Sequence, residues 1–253
     1  MLTQSFADAV AEAERIIMAA PHIRGEADLA EGYDYLAGSI RASLQMAWAY
    51  QRDFPYFAAS TGPYTKLGLD NPDTLYFHSY LRDDAEYVVT GCRGTTADLS
   101  FQVLNGDYSP VEVPDSLTAF DDREIEIAAD GTFELRFGPP ASSPGPGYVT
   151  LGPGSAMLLV REVYSDWDTE RRGIISIRRA DRAGCAPPAA DTGAMAKRYR
   201  VAGKMLVSRL KTASGSIPKY FQVVLSVKAM DDVPVKIDYM FHRELPDRGP
   251  LVR

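Results

Sequence analysis

With 253 residues, 45% of them hydrophobic and 24% charged, the chain has the make-up of an ordinary folded domain able to bury a sizeable core. Its formal net charge of −7 speaks against nucleic acid or an anionic membrane surface as partner, because both call for a basic face. No apolar run reaches the roughly 18 residues of a membrane span, and two cysteines are too few for a disulfide framework.

Met1 to Ala20 is acidic and amphipathic and lacks the basic start of an export signal, so a cytoplasmic protein with Cys92 and Cys185 reduced is expected. Ser5 reads as the N-cap of a first helix with Phe6, Val10, Ala13 and Ile17 on one face, and Pro21 stops it. A second helix is expected from about Asp34 to Asp53, with Leu36, Ile40, Leu44 and Trp48 at four-residue intervals and Pro55 closing its end. Both helices read as covers for a sheet.

After a loop from Thr61 to Asp70 the pattern turns from helical to β. Asn71-Pro72 marks a turn, and Asp73 to Arg82 then alternates strictly. Leu75, Phe77, Ser79 and Leu81 form a core stripe. Thr74, Tyr76, His78, Tyr80 and Arg82 form a second face, aromatic and polar together, which suits a cavity wall. Glu86 to Thr90 completes a hairpin with this strand, and Leu99 to Leu104 is another strand, ended by Asn105-Gly106. Glu124 to Ala128 and Thr132 to Phe137 flank Asp130-Gly131, the strongest hairpin signal in the chain, with Ile125 and Ile127 facing Phe133, Leu135 and Phe137.

Pro139 to Gly147 reads as a surface loop, and Tyr148 to Leu151, Ala156 to Tyr164 and Gly173 to Arg179 as three further strands. Asp181 to Pro188 is a linker. Asp191 caps a helix reaching about Thr212, ended by Gly215 and Pro218, and the last strands are Tyr220 to Lys228 and Val235 to His242. The fold class expected is α+β: mainly an antiparallel β-sandwich, jelly-roll-like, with N-terminal helices and one long helix near 191–212. Residues 1–60 form a helical segment packed on the sheet and 61–253 a sandwich with an inserted helix, one structural domain in all.

Chemistry-bearing motifs are few. His22, His78 and His242 show no ligand spacing, so no metal is expected unless His78 and His242 meet in space. Gly152-Pro153-Gly154-Ser155 precedes a strand, not a helix, and reads as a turn; the Asp pairs at 83–84, 121–122 and 231–232 also read as turns. No nucleotide loop or serine elbow is present and no cofactor is expected. The second informative stretch is Arg161 to Arg171. A mostly apolar, central strand ends there with Arg161 on one face and Glu162 and Tyr164 on the other, which places charge close to the core. One reading is an internal ion-pair network, with Asp166 and Thr169 folding the turn onto Trp167. The other is a buried carboxylate with a raised pKa, able to act as acid or base.

Asn71-Pro72-Asp73-Thr74-Leu75-Tyr76, followed by a hairpin with Tyr87 and Gly91, resembles the opening signature of a bacterial family known as domain of unknown function 1214, related to the 1254 family. Arg161 to Glu170, running into Asp166-Trp167-Asp168-Thr169-Glu170, is similar to its second signature, so the likeness spans about residues 67–177. The resemblance implies a β-rich, jelly-roll-like domain with helical additions and brings no catalytic residues with it.

The function expected is cofactor-independent acid/base chemistry of isomerase, cyclase or lyase type. It would act on a small, mainly apolar organic molecule, such as a terpenoid or polyketide, held between the sheets. Glu162, Asp166, His78 and Tyr76 are the catalytic candidates; Asp73, Tyr80, Arg82, Arg161, Tyr164 and Trp167 are the substrate-binding ones. The alternatives are a non-catalytic module for a carbohydrate or lipid, and a homo-oligomer interface on the polar-aromatic strand face. Convergence of Tyr76, His78, Glu162 and Tyr164 on one enclosed pocket would favour the enzyme.

Overall fold

The computed structural model describes residues 1–62, 65, 70–107 and 114–228, with residues 213–228 as backbone only. Three helices, α1 (Gln4–Met18), α2 (Glu26–Ala49) and α3 (Thr192–Lys228), accompany eight strands. These are β1 (Thr74–Tyr80), β2 (Tyr87–Cys92), β3 (Asp98–Leu104), β4 (Ser116–Asp121), β5 (Thr132–Gly138), β6 (Tyr148–Thr150), β7 (Met157–Val163) and β8 (Ile174–Arg179). The strands form two four-stranded sheets, β1-β7-β3-β4 and β6-β5-β2-β8, so the fold is the expected α+β sandwich with helical additions. All pairings are antiparallel except β5 with β6, which is parallel.

Period-two alternation builds the core between the sheets. Leu99, Phe101 and Val103 of β3 and Leu158 and Val160 of β7 meet Tyr87, Val89, Phe133, Leu135 and Phe137 of the second sheet. Phe101 lies stacked 5.3 Å from Phe120 and edge-on 6.1 Å from Phe133, so the intersheet layer is filled by interlocking rings. The outer face of the first sheet is covered in turn. Tyr80, Leu104 and Met157 pack there against Ala42, Met46 and Ala49 of α2 and Met205 of α3. Further out, α1 closes the helical layer through Ala13 and Ile17 against Leu36, Leu206 and Leu210.

Several boundaries differ from expectation for local reasons. The second helix begins at Glu26, not near Asp34, because Gly25 and the acidic first turn of Glu26 and Asp28 start it before the apolar stripe appears. The first begins at Gln4 with Thr3 as its cap, two residues ahead of the expected Ser5 cap. No strand forms at 124–128; the Glu124 N–H returns to the Asp121 carbonyl (3.0 Å), and only Ala128 meets Thr132 across the Asp130-Gly131 turn, where Gly131 has φ +84°. Ile125 and Ile127 nonetheless pack on the core. The neighbour of β3 is instead β4, whose only core ring is Phe120 and which therefore lacks a clear alternating signature. Helix α3 continues through Gly215 and Pro218 to Lys228, replacing the strand expected from Tyr220, although an interior proline both removes a helical hydrogen bond and crowds the preceding turn. Val235 to His242 lies outside the described residues, as does the Asp231-Asp232 pair.

Candidate functional site

The register of β7 decides which predicted residues can meet. Tyr76 of β1 and Ser100 of β3 both stand opposite Arg161, His78 and Gln102 opposite Leu159, and Tyr80 and Leu104 opposite Met157. These side chains share the outer face, the one that the helices cover. Leu75 and Leu99 stand opposite Glu162 on the inner face. Arg161 and Glu162 are adjacent in sequence and therefore on opposite sides of one sheet. The convergence of Tyr76, His78, Glu162 and Tyr164 on a single pocket that would have favoured the enzyme does not occur, and the intersheet space expected to hold a substrate is occupied by the aromatic core.

The outer row is polar and buried. His78 is 2% exposed; its main chain bridges to Ala58 in both directions at 3.0 Å, and Nδ1 lies 3.4 Å from Ser60 Oγ. Nε2 is buried and has no hydrogen-bond partner among the described residues. Burial pushes the imidazole pKa down to about 4, so the ring is neutral near pH 7. Beside it, Arg161 donates from Nη2 to Gln102 Oε1 at 2.7 Å, and its guanidinium lies 5.9 Å from the centre of the Tyr76 ring. The Tyr76 hydroxyl accepts the Asn71 N–H at 3.0 Å. Ser100, Gln102 and Arg161 are all buried, with Asp121 the neighbour of Ser100 on β4. Tyr80, fully buried, sits edge-on to His78 at 5.7 Å and tilted against Tyr50 at 4.7 Å. It closes the helix–sheet core and is not free to touch a ligand.

Glu162 does something else. Its Oε1 accepts the Thr96 hydroxyl at 3.0 Å and the Gly173 N–H at 2.6 Å. Thr96 in turn accepts from Arg93 Nη1 at 2.7 Å, while Arg93 Nε pairs with Asp122 Oδ2 at 2.7 Å. Thr95 and Arg171 add two bonds of 2.8 Å between the same loops. The carboxylate thus ties the loop after β2 to the loop before β8 inside the sandwich end. This is an internal network of the kind weighed against catalysis, with Thr96 and Gly173 as the partners of Glu162.

The other candidates fall in two further places. Asp166 caps an exposed turn: its carboxylate accepts the Thr169 hydroxyl (2.7 Å) and the Asp168 N–H (2.9 Å), and these bonds hold its pKa below the usual aspartate value, opposite to what a general acid needs. Trp167 stacks on Tyr164 at 3.9 Å with 3° between the rings and donates Nε1 to Asp73 Oδ1 at 2.8 Å. Asp73 also accepts the Tyr164 N–H on its main-chain oxygen at 2.7 Å, so Asp73, Tyr164 and Trp167 form one rigid, half-exposed corner. Arg82 projects to the surface, chelated by Asp84 through Nε and Nη2 at 2.8 Å each.

Sequence reasoning missed Ser60, Ser100, Gln102 and Thr96. Ser100 and Gln102 carried a signal: Leu99, Phe101 and Val103 alternate with them, which is the pattern that drew attention to Tyr76 and His78. Ser60 and Thr96 lie in loops and carried none. Among the described residues no group of three or more His, Cys, Asp or Glu side chains is placed to hold a metal ion, and no helix is long and apolar enough to cross a membrane. His242 lies outside the described residues, so its relation to His78 is not part of this geometry.

No protein-family model and no curated protein matches the chain. Among solved structures it is similar to an uncharacterized protein from Burkholderia cenocepacia, with 28% identity and a TM-score of 0.77 over 86% of this chain and 61% of that one. The chain therefore spans about three fifths of that protein's length. A protein from Vibrio parahaemolyticus aligns at 16% identity with a TM-score of 0.32, over 62% of this chain and 39% of the other. The first likeness bears on the fold.

Proposed function

We propose that this protein binds a small organic molecule on the outer face of the first sheet, where His78, Arg161, Gln102 and Tyr76 adjoin. The observation that carries the reading is His78 Nε2, a buried ring nitrogen without a partner among the described residues. A buried polar atom left unsatisfied costs roughly 1–3 kcal/mol, and a bound molecule offering a hydrogen bond relieves that cost. The neutral imidazole can donate or accept at Nε2, depending on which nitrogen carries the proton. Arg161 and Gln102 supply donors for a carbonyl or carboxylate, while Leu159 and the Tyr76 ring supply an apolar floor. Such a mixture of apolar wall and few directed polar groups is what a small-ligand site requires.

A second reading, cofactor-free acid/base catalysis of isomerase or lyase type, is favoured by the same histidine. An imidazole kept neutral by burial can polarise a carbonyl by donating a hydrogen bond without being consumed as an acid. In that case His78 holds the chemistry, Arg161 steadies a developing anion, and Glu162 and Asp166 take no part. The Asn71–Tyr76 and Arg161–Glu170 segments support a place in the domain of unknown function 1214 family. Two free cysteines, Cys92 and Cys185, support a reducing cytoplasmic setting.

The test is incubation of the purified protein with a broad panel of cell metabolites, followed by mass spectrometry under non-denaturing conditions, on wild type and on His78→Gln. Wild type should retain one compound that the variant does not, and appearance of a new mass in solution would mark turnover. Equal retention by both proteins, or by neither, would overturn the reading.

A further inference from the structure

We propose a second binding site, separate from the His78 row, for a small anion carrying a carboxylate or phosphate group. It is a groove of about 390 Å³ between the turn after α2, the β1–β2 connection and the first turns of α3, lined among others by Tyr50, Arg52, Asp53, Arg82 and Lys197. On a chain of net charge −7, a groove bearing three cations is against the prevailing field.

The pairing of those charges leaves two of them over. Arg82 is neutralised by Asp84, and Asp53 by Arg179. Arg52 and Lys197 have no carboxylate partner among the described residues. The Arg52 guanidinium is nevertheless held in place: Nη2 donates to the Tyr50 hydroxyl at 2.7 Å, and its carbon lies 4.8 Å from the centre of the Tyr50 ring. Its Nε is buried with no acceptor. A guanidinium fixed on one side and short of an acceptor on the other presents a fork that a planar or tetrahedral oxyanion fills, and Lys197 adds a mobile point charge.

The wall that carries Arg52 is fixed locally. Helix α2 ends at Tyr50 in a tight turn (φ −71°, ψ 68°), with the Gln51 N–H on the Ala49 carbonyl at 2.7 Å, which is an inverse γ-turn. The fully buried Tyr87 then joins the two arginine-bearing segments. Its hydroxyl donates to the Arg52 carbonyl at 2.9 Å and accepts the Arg82 N–H at 3.0 Å. The main chains of Arg52 and Arg82 are thereby joined, which fixes the backbone from which the Arg52 side chain enters the groove. The Tyr50 ring offers an apolar surface for whatever the anion is attached to.

The experiment titrates the full chain with inorganic phosphate and, separately, with benzoate, by calorimetry at constant ionic strength. Wild type should bind at least one probe saturably. Lys197→Gln, an exposed change that spares the fold, should weaken it at least tenfold, and Arg52→Gln at least as much. Lys204→Gln, an exposed cation elsewhere on α3, should bind as wild type. Tighter phosphate identifies a phosphate-type ligand and tighter benzoate an aryl carboxylate. Saturable binding of neither probe, or binding that survives both groove variants, or equal loss with Lys204→Gln, would overturn the proposal.

Discussion

Replacing Glu162 separates a structural clasp from a catalytic carboxylate. In Glu162→Ala the Thr96 hydroxyl and the Gly173 N–H, now 3.0 and 2.6 Å from Oε1, both lose their acceptor inside the sandwich end. Hydrogen bonds to a charged acceptor contribute about 1.5–3 kcal/mol each, and losing one partner of a buried charged network costs about 3–5 kcal/mol. Since the two bonds share one oxygen, their losses do not add fully, and about 3–5 kcal/mol is the expected destabilisation. Glu162→Gln keeps a carbonyl oxygen at that position and forfeits only the charge, so about 1–2 kcal/mol is expected. Urea unfolding should show the midpoint falling in that order with the slope unchanged. Thr96→Val should be non-additive with Glu162→Ala, because both remove the same bond. A Glu162→Ala protein with the unfolding midpoint of wild type would refute the clasp and return Glu162 to the catalytic candidates.

Three further outcomes follow from the same geometry. Since the His78 pKa falls from 6.5 to about 4 on folding, the unfolded chain binds the proton more readily. At about 1.4 kcal/mol per pH unit, about 3 kcal/mol of stability should be lost as pH drops from 6.5 through 4, and none above 6.5; His78→Gln should lack that component of the pH-dependent unfolding curve, and a superimposable curve would contradict it. Gly94→Ala should destabilise by about 1–3 kcal/mol in thermal unfolding, because a Cβ there runs into the Arg171 carbonyl oxygen across the clasped loops. Asp73→Ala should free the indole of Trp167, giving red-shifted emission and lower anisotropy in a Trp48→Phe background; unchanged emission would mean that the Tyr164 stack alone fixes the ring.

The elements most legible in the sequence were those whose two faces have different neighbours. The stretch 74–82 announced its strand through alternation, and 156–164 its central position through apolar residues on both faces, because one face meets the second sheet and the other meets helices. What alternation could not give was which strands pair. Tyr76 and Arg161 sit together, and Tyr76 and Glu162 apart, only because β1 lies beside β7 in this register; a slip of one residue would have reversed it. Loop contributions were invisible for a different reason: Ser60 and Thr96 act through tertiary contacts that leave no periodicity. At the chain level, β4 escaped notice because a single core ring, Phe120, does not make a pattern.

The covered face of the first sheet has two ends with different chemistry, and the contrast is informative. At one end Tyr80, Leu104 and Met157 meet α2 and α3 through apolar contact, the usual way to bury a sheet face. Further along the same strands that face turns polar, with His78 and Gln102 two residues from Tyr80 and Leu104 and Arg161 four from Met157, and it is buried as well. Stability alone would be served at least as well by extending the apolar end, since replacing buried polar and ionic groups with packed hydrophobes is often neutral or favourable. The polar row therefore carries a cost without a structural return that its own hydrogen bonds explain: Arg161 donates to Gln102, yet His78 keeps a buried nitrogen unmatched. Departures of this kind from the rule that a fold otherwise follows are where function is expected to reside. Glu162 passes the same comparison with the opposite result. Its buried charge is answered by donors from the two loops that it joins, so its place in the structure is explained by the fold itself.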